Sequence, residues 1–197
     1  MALDQLDNFD EVLRSAKNGN DLAFSVIYRH YYQSLEKYAH FKSPRYVDEI
    51  TGETWLGVVE GLSKFEGGER EFRSWLFTIA RNKLVDILKK KRPELVEFSE
   101  KGEVTGEEGD GGDIVGEEIV TREQVKEVIN FIRSSLNPDE AEVIILRVLM
   151  GFDGREVASL MGLREVNVRV LQHRGLHKLA QRVAKAPPGV FTNLTIT

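Results

Sequence analysis

The 197-residue chain has no cysteine. That excludes a disulfide framework, a thiol nucleophile and any cysteine-ligated zinc or iron-sulfur site. Histidine is scarce as well, with four in all, so no metal or other cofactor is expected. No run of about 18 apolar residues occurs and no basic-then-apolar leader opens the chain, which leaves a cytoplasmic protein as the expectation. Catalytic triads, phosphate loops and acid pairs are missing too, so the chain is not expected to be an enzyme.

The formal net charge is −5, which on its face argues against a nucleic-acid partner. Its distribution reverses that reading. Residues 94–120 carry −9 and six glycines, whereas residues 20–93 and 121–185 each carry +3. A stretch so acidic and so poor in apolar groups reads as a flexible linker. Two domains follow, 1–93 and 121–185, with a tail over 186–197.

The first block has the periodicity of four helices. Leu6, Phe9, Leu13 and Ala16 mark the first, from Asp4. Leu22, Val26, Ile27, Tyr31, Leu35 and Tyr38 mark the second, to about Phe41. The third, about Val47 to Phe65, buries Val47, Ile50, Trp55, Val58, Leu62 and Phe65 and leaves Glu49, Glu53 and Glu60 as an acidic stripe. The fourth buries Phe72, Trp75, Leu76, Ile79, Ala80, Leu84, Ile87 and Leu88. Its expected solvent side carries Arg73, Arg81, Asn82, Lys83 and Lys89 to Arg92, and residues 81–92 sum to +5. Cations that follow phosphates, an amide and nearby rings suit single-stranded nucleic acid. A solvated helix end favoured by the macrodipole has the same composition.

In the second block, Thr121 and Gln124 form a capping box for a helix burying Val125, Val128, Ile129 and Ile132. Asn137-Pro138-Asp139-Glu140 starts another, to Met150. A short helix over Gly154–Met161, a turn at Gly162-Leu163 and a long basic helix from about Arg164 to Lys185 have the order of a helix-turn-helix, whose second element enters the major groove. Val168, Leu171, Leu176, Leu179, Ala180 and Val183 are its expected buried stripe. Arginine bonds guanine and asparagine bonds adenine in that groove, which makes Asn167, Arg169 and Arg174 candidates. A helical bundle with a basic exposed face is the competing reading. His173 and His177 are four apart but have no third ligand, so a surface or phosphate-side role is preferred.

Taken together, Ala23-Phe24, Tyr28, Tyr31-Tyr32, Phe65-Glu66-Gly67, Phe72-Arg73-Ser74-Trp75-Leu76, Ile79-Ala80-Arg81-Asn82 and the Lys89–Arg92 run resemble the second conserved region of the extracytoplasmic-function (ECF) sigma factors. Leu136-Asn137-Pro138 through Leu146-Arg147, Glu156-Val157-Ala158, Met161-Gly162-Leu163 and Val168–Arg174 resemble the fourth. The resemblance implies an all-α fold of two small helical domains joined by the acidic linker, the second a helix-turn-helix, winged-helix-like or of sigma region 4 type. It implies an alternative sigma subunit that binds bacterial core RNA polymerase, at the clamp coiled coil of the largest subunit and at the flap region, and recognises promoter DNA. An anti-sigma factor is a further implied partner.

Residue roles carry over from the same resemblance. Asp48, Glu49, Glu53 and Trp55 would contact the clamp. Arg73, Trp75, Arg81, Asn82, Lys83 and Lys89 would meet the minus-ten element, duplex and then melted non-template strand. Arg164, Asn167, Arg169, Val170, His173, Arg174 and Lys178 would meet the minus-thirty-five element. Arg164 replaces the serine or threonine that often caps that helix, and it has no side-chain oxygen to do so. The linker would thread polymerase channels, screen the basic faces or act as a plain tether, and the tail, with Val190, Phe191, Leu194 and Ile196, would be disordered or dock. The alternatives from other classes are a helix-turn-helix repressor or activator working without replacing sigma, and an RNA-binding module.

Overall fold

Eight α-helices, with no strand among the described residues, make up the computed structural model, which describes residues 8–97 and 122–185. The expected linker beyond Glu97, the Thr121 cap, the first turn at Asp4–Leu6 and the tail lie outside the described residues. Helix α1 spans Phe9–Lys17 and α2 Asp21–Lys42. Between them Gly19 takes φ 83°, a conformation cheap only for glycine. The Asn20 side chain then accepts from the Leu22 and Ala23 amides at 3.0 and 3.1 Å, satisfying donors that no helical partner reaches. Pro44 forces a short 3-10 turn, and α3 follows over Val47–Gly61. After a second turn at Leu62–Lys64, Gly67 (φ 134°) swings the chain into α4, Glu69–Glu97. Phe9, Tyr31, Phe65 and Phe72 meet ring to ring at the centre of this block.

The second block begins with α5, Arg122–Ser135. Asn137 and Glu140 form a reciprocal capping box, with Pro138 at the first position, and start α6, Pro138–Ile144. The helix widens to a π-type turn over Ile145–Leu149 and stops at Gly151, φ 69°. Asp153 and Glu156 make a second capping box for α7, Gly154–Met161, and Gly162 ends it at φ 67°. Leu163 closes that turn by donating to the Ala158 carbonyl at 2.8 Å. The last helix, α8, covers Glu165–Lys185. It rests on α6 through Gly175, where a Cβ would lie 3.0 Å from Ile144.

The two blocks share one continuous apolar core. Phe77 of α4 is sealed between Tyr38 of α2 and Phe152, which precedes α7, with ring centroids 5.3 and 5.0 Å away. Sequence periodicity assigns α4 one buried stripe, yet α4 buries two directions, one for each block. Helix α4 also continues four residues into the expected linker. The fixed φ of Pro93 is compatible with a helix, although its ring nitrogen donates no hydrogen bond to the Lys89 carbonyl.

Several positions expected inside are exposed: Leu22, Val26 and Leu88 in the first block, and Leu176, Ala180 and Val183 in α8. The face of α8 that does pack is Val168, Leu171, Gln172, Gly175 and Leu179. That stripe is rotated because Gly175, not a bulky residue, sits at the closest approach.

Candidate nucleic-acid interface

On α4, residues 70, 73, 77 and 81 follow the i, i+3, i+7, i+11 pattern and therefore share one face. That face is turned to α7, Arg70 and Arg73 toward its N-terminal end and Arg81 toward its C-terminal end. Arg73 donates from Nη2 to both carboxylate oxygens of Glu156 at 2.8 Å, and its guanidinium lies 4.6 Å from the Phe152 ring centre. Arg70 pairs with Asp153, and Arg81 donates to the Leu160 carbonyl. Arg73 and Arg81, expected on the solvent side, are thus half-buried against the second block. For Arg73 the physical reason is Glu156, only 6% exposed, which would be a costly buried charge without it, whereas Arg81 satisfies a backbone carbonyl.

The other candidates on α4 separate from this pair. Asn82 and Lys89 are exposed. Lys83 reaches Glu53 of α3 at 3.0 Å, so a residue expected at DNA is paired with one expected at polymerase. Trp75 is half-buried, 4.9 Å from the Phe65 ring, over Gly61, where a Cβ would come within 2.7 Å of the indole. Only glycine at 61 admits it.

On α3, Asp48 and Glu49 are exposed and Glu53 partly so. Trp55 is buried and makes ring contacts with Phe24 and Tyr28 at 6.0 and 4.8 Å. It packs against α2 with little of its surface exposed. The apolar residues presented with the acids are Leu56, 57% exposed, and Val59, 58% exposed. Sequence reasoning missed both, although Leu56 stands at i+7 from Glu49 and i+3 from Glu53 and so had to share their face.

The helix-turn-helix is more open. Arg164, Arg169, Val170, His173, Arg174 and Lys178 are exposed and Asn167 is half-buried. The Arg164 side chain does not cap α8, but its carbonyl accepts the Asn167 and Val168 amides at 2.9 and 3.2 Å. Arg169 is held by Glu165, one turn back, at 2.8 Å. Lys178 is committed inward: it donates to both oxygens of Glu140 at 2.7 and 2.8 Å. The Lys178 bond and the Asn137 amide hold the Glu140 carboxyl below its usual range against the cost of burial. Lys178 then continues, with Ser135, Gln181, Arg182 and Lys185, as the lining of a basic basin of about 440 Å³. His173 and His177 lie with parallel rings 6.5 Å apart.

Two positioning residues had no signal in the sequence. Arg147 ties the Phe152 carbonyl (2.6 Å) to Gln172 of α8 (3.2 Å), fixing α8 against the loop before α7. Glu142, 6% exposed, accepts from Lys42 Nζ at 2.8 Å and Tyr38 Oη at 3.1 Å across the blocks. Each pairs with a partner that chain order alone does not identify.

Comparison with known proteins bears on both blocks. The family model described as Sigma-70 region 2 matches residues 27–94, and that described as Sigma-70, region 4, matches residues 134–179. The chain is 29% identical over 181 residues to the ECF RNA polymerase sigma factor BldN of Streptomyces coelicolor. That match covers 87% of the chain and 64% of BldN, so the chain spans less than two thirds of that relative. It is 25% identical to the ECF RNA polymerase sigma factor SigX of Bacillus subtilis, over 81% of the chain and 83% of SigX. Among solved structures, CnrH in complex with the cytosolic domain of CnrY superposes with TM-score 0.61 at 22% identity, over 90% of this chain and 99% of that one. The sigma factor RpoE in complex with the anti-sigma factor NepR from Bartonella quintana also gives TM-score 0.61, at 19% identity, over 83% and 98% of the two chains. These two structures share the fold.

Proposed function

The chain belongs to the ECF sigma factors, and from that premise we propose that it binds bacterial core RNA polymerase, directs it to promoter DNA and assists promoter opening, without catalytic chemistry of its own. The observation that carries this reading is the pair of region matches in order, on residues 27–94 and 134–179, with a helix-turn-helix in the second. The proposed division of labour follows the surfaces. Asp48, Glu49 and Glu53, with Leu56 and Val59 among them, meet the polymerase clamp, and Trp55 holds that face in place. The α8 face of Asn167, Arg169, Val170, His173 and Arg174, with Arg164 at its start, reads duplex in the major groove, where arginine and asparagine pair bidentately with guanine and adenine. Lys178 anchors the helix from which they project.

Around α4, Asn82 reads a base of the separated strand while Arg73, Arg81 and Lys89 follow its phosphates. Trp75 and Lys83 shape the surface from within. Extruding a base costs a few kcal/mol, offset by a pocket and by phosphate contacts along the strand. An anti-sigma factor is proposed as a further partner because RpoE, of similar fold, was solved with one.

The test is the purified chain added to bacterial core polymerase with a library of promoter fragments. Core binding and transcripts from defined start sites are expected, with core affinity lowered by Glu49→Ala combined with Glu53→Ala. Dimers that bind duplex tightly and ignore core polymerase would instead establish a repressor or activator.

A further inference from the structure

Helix α8 approaches its neighbours closely at Gly175, where a Cβ would lie 3.0 Å from Ile144 and 3.4 Å from Leu136. Past that point positions 178, 181, 182 and 185 continue on one face at helical spacing, and they hold Lys178, Gln181, Arg182 and Lys185 where a packed stripe would be apolar. With Ser135 at the end of α5 they line the basin of about 440 Å³, the size of a small-molecule site. Three cations and no carboxylate form that lining. Glu140, the acid paired with Lys178, is only 2% exposed and lies behind it, so two positive charges are left for a ligand to neutralise. The macrodipole accounts for Arg182 and Lys185 in the last turn of α8. It does not account for the hydroxyl beside them. Ser135 Oγ is shielded from solvent and makes no hydrogen bond among the described residues, whereas Ser134 Oγ donates to the Phe131 carbonyl at 3.1 Å. A buried hydroxyl left in that state is a cost that a ligand can relieve.

We propose that this basin binds a small phosphorylated molecule through its phosphate groups. A phosphate ester carries about −1.5 to −2 at pH 7, which matches the charge that the Lys178–Glu140 pair leaves unbalanced. Arg182 supplies the planar fork that suits phosphate oxygens, and Lys185 a second cation. Lys178 gives Glu140 two hydrogen bonds, one to each carboxylate oxygen, and keeps a third N–H for the ligand. Ser135 reaches the basin by rotation about χ1, between staggered wells, and donates its hydroxyl. Gln181, whose amide meets His177 at 2.9 Å, closes the outer side. The site lies on the half of α8 beyond Arg174, apart from the face proposed to read duplex, and it does not depend on the sigma reading.

The experiment titrates the full-length chain with pyrophosphate, and separately with ATP, by calorimetry at fixed ionic strength. Two double variants each remove two positive charges from α8. One, Arg182→Gln with Lys185→Gln, lies in the basin, and the other, Arg169→Gln with Arg174→Gln, lies outside it. Ser135→Ala removes the hydroxyl alone. Helicity is followed by circular dichroism, and promoter duplex binding is measured alongside.

The expected result is one pyrophosphate per chain, bound about tenfold more weakly by the basin variant and with unchanged affinity by the other. Ser135→Ala should bind it about threefold more weakly while the thermal midpoint stays level or rises, which a hydroxyl kept only for the fold would not do. ATP binding tighter than pyrophosphate assigns a nucleotide, and equal or weaker binding assigns a compound read by its phosphates alone. Either upholds the site. Absence of saturable binding overturns it, as does an equal loss in the two double variants, the mark of general attraction of polyanions to α8. Basin charges that matter to duplex and not to pyrophosphate also overturn it, giving the basin to the DNA backbone. If the basin variant loses helicity, Ser135→Ala decides on the same criteria.

Discussion

Helices α4 and α8 carry the same kind of signal in the sequence, a basic face on an amphipathic helix, yet they stand in opposite states. On α8 the cations Arg169 and Arg174 project from an exposed face. On α4, Arg73 and Arg81 are turned toward the other block and hold its acids and a backbone carbonyl. Local charge therefore reports what a helix can bind, and the tertiary contact decides what it is binding now. The α8 cations face solvent, whereas those of α4 are engaged within the chain.

The most severe way to break that contrast is Phe77→Ala. It removes a fully buried ring shared by both blocks and should cost about 3–5 kcal/mol, read as a lower denaturation midpoint with the two blocks unfolding in separate steps. A sharper probe leaves the core alone. Arg174→Ala should weaken duplex promoter binding by about 1–3 kcal/mol, roughly tenfold to a hundredfold, whether the chain is free or on polymerase. Arg81→Ala, whose guanidinium is already engaged by the Leu160 carbonyl, should change strand binding by the free chain less than about threefold, at most ~0.7 kcal/mol. Equal effects of both substitutions in the free chain would erase the distinction.

Acidification should shift the balance least. Burial, then Lys126 and Arg133 of α5 across the interface, lower the affinity of His40 for its proton. A histidine with a lowered folded pKa supports the packing of α2 on α5 fully above its ordinary value near 6.5 and ceases to as pH falls through the lower value. The radius of gyration should therefore rise modestly between pH 7 and pH 5. Asp153 has the same sign further down. Burial raises its pKa, but the Glu156 and Arg155 amides and Arg70 outweigh that. Its stabilising contribution is present above about pH 4 and lost below.

Much of this architecture was legible along the chain. Asn137 with Pro138, Gly162 and the apolar period of α2 to α4 mark starts, stops and faces by local chemistry, which is what local sequence encodes. The exposure of Arg164, Arg169 and Arg174 around α8 was legible for the same reason. Glu140, Glu142 and Glu156 were not, because an acid on a helix has the same pattern whether water or a distant cation solvates it. Their partners Lys178, Lys42 and Arg73 lie 38, 100 and 83 positions away. Leu176 and Val183 misled in the opposite direction, as apolar side chains at helical spacing on a face that packs against nothing described. The phase of that stripe was set by Gly175, whose lack of a side chain gives periodicity nothing to count.

The capping box at Asp153 and Glu156 serves two contacts at once. The carboxylates that pair with Arg70 and Arg73 of the first block are the ones that start α7, the leading helix of the helix-turn-helix, so substitutions that delete either acid fray that helix by about 1 kcal/mol as they release an arginine. Loosened docking of the blocks and a weakened helix start therefore arrive together, and exchange of either acid for its amide, which still caps, pulls them apart.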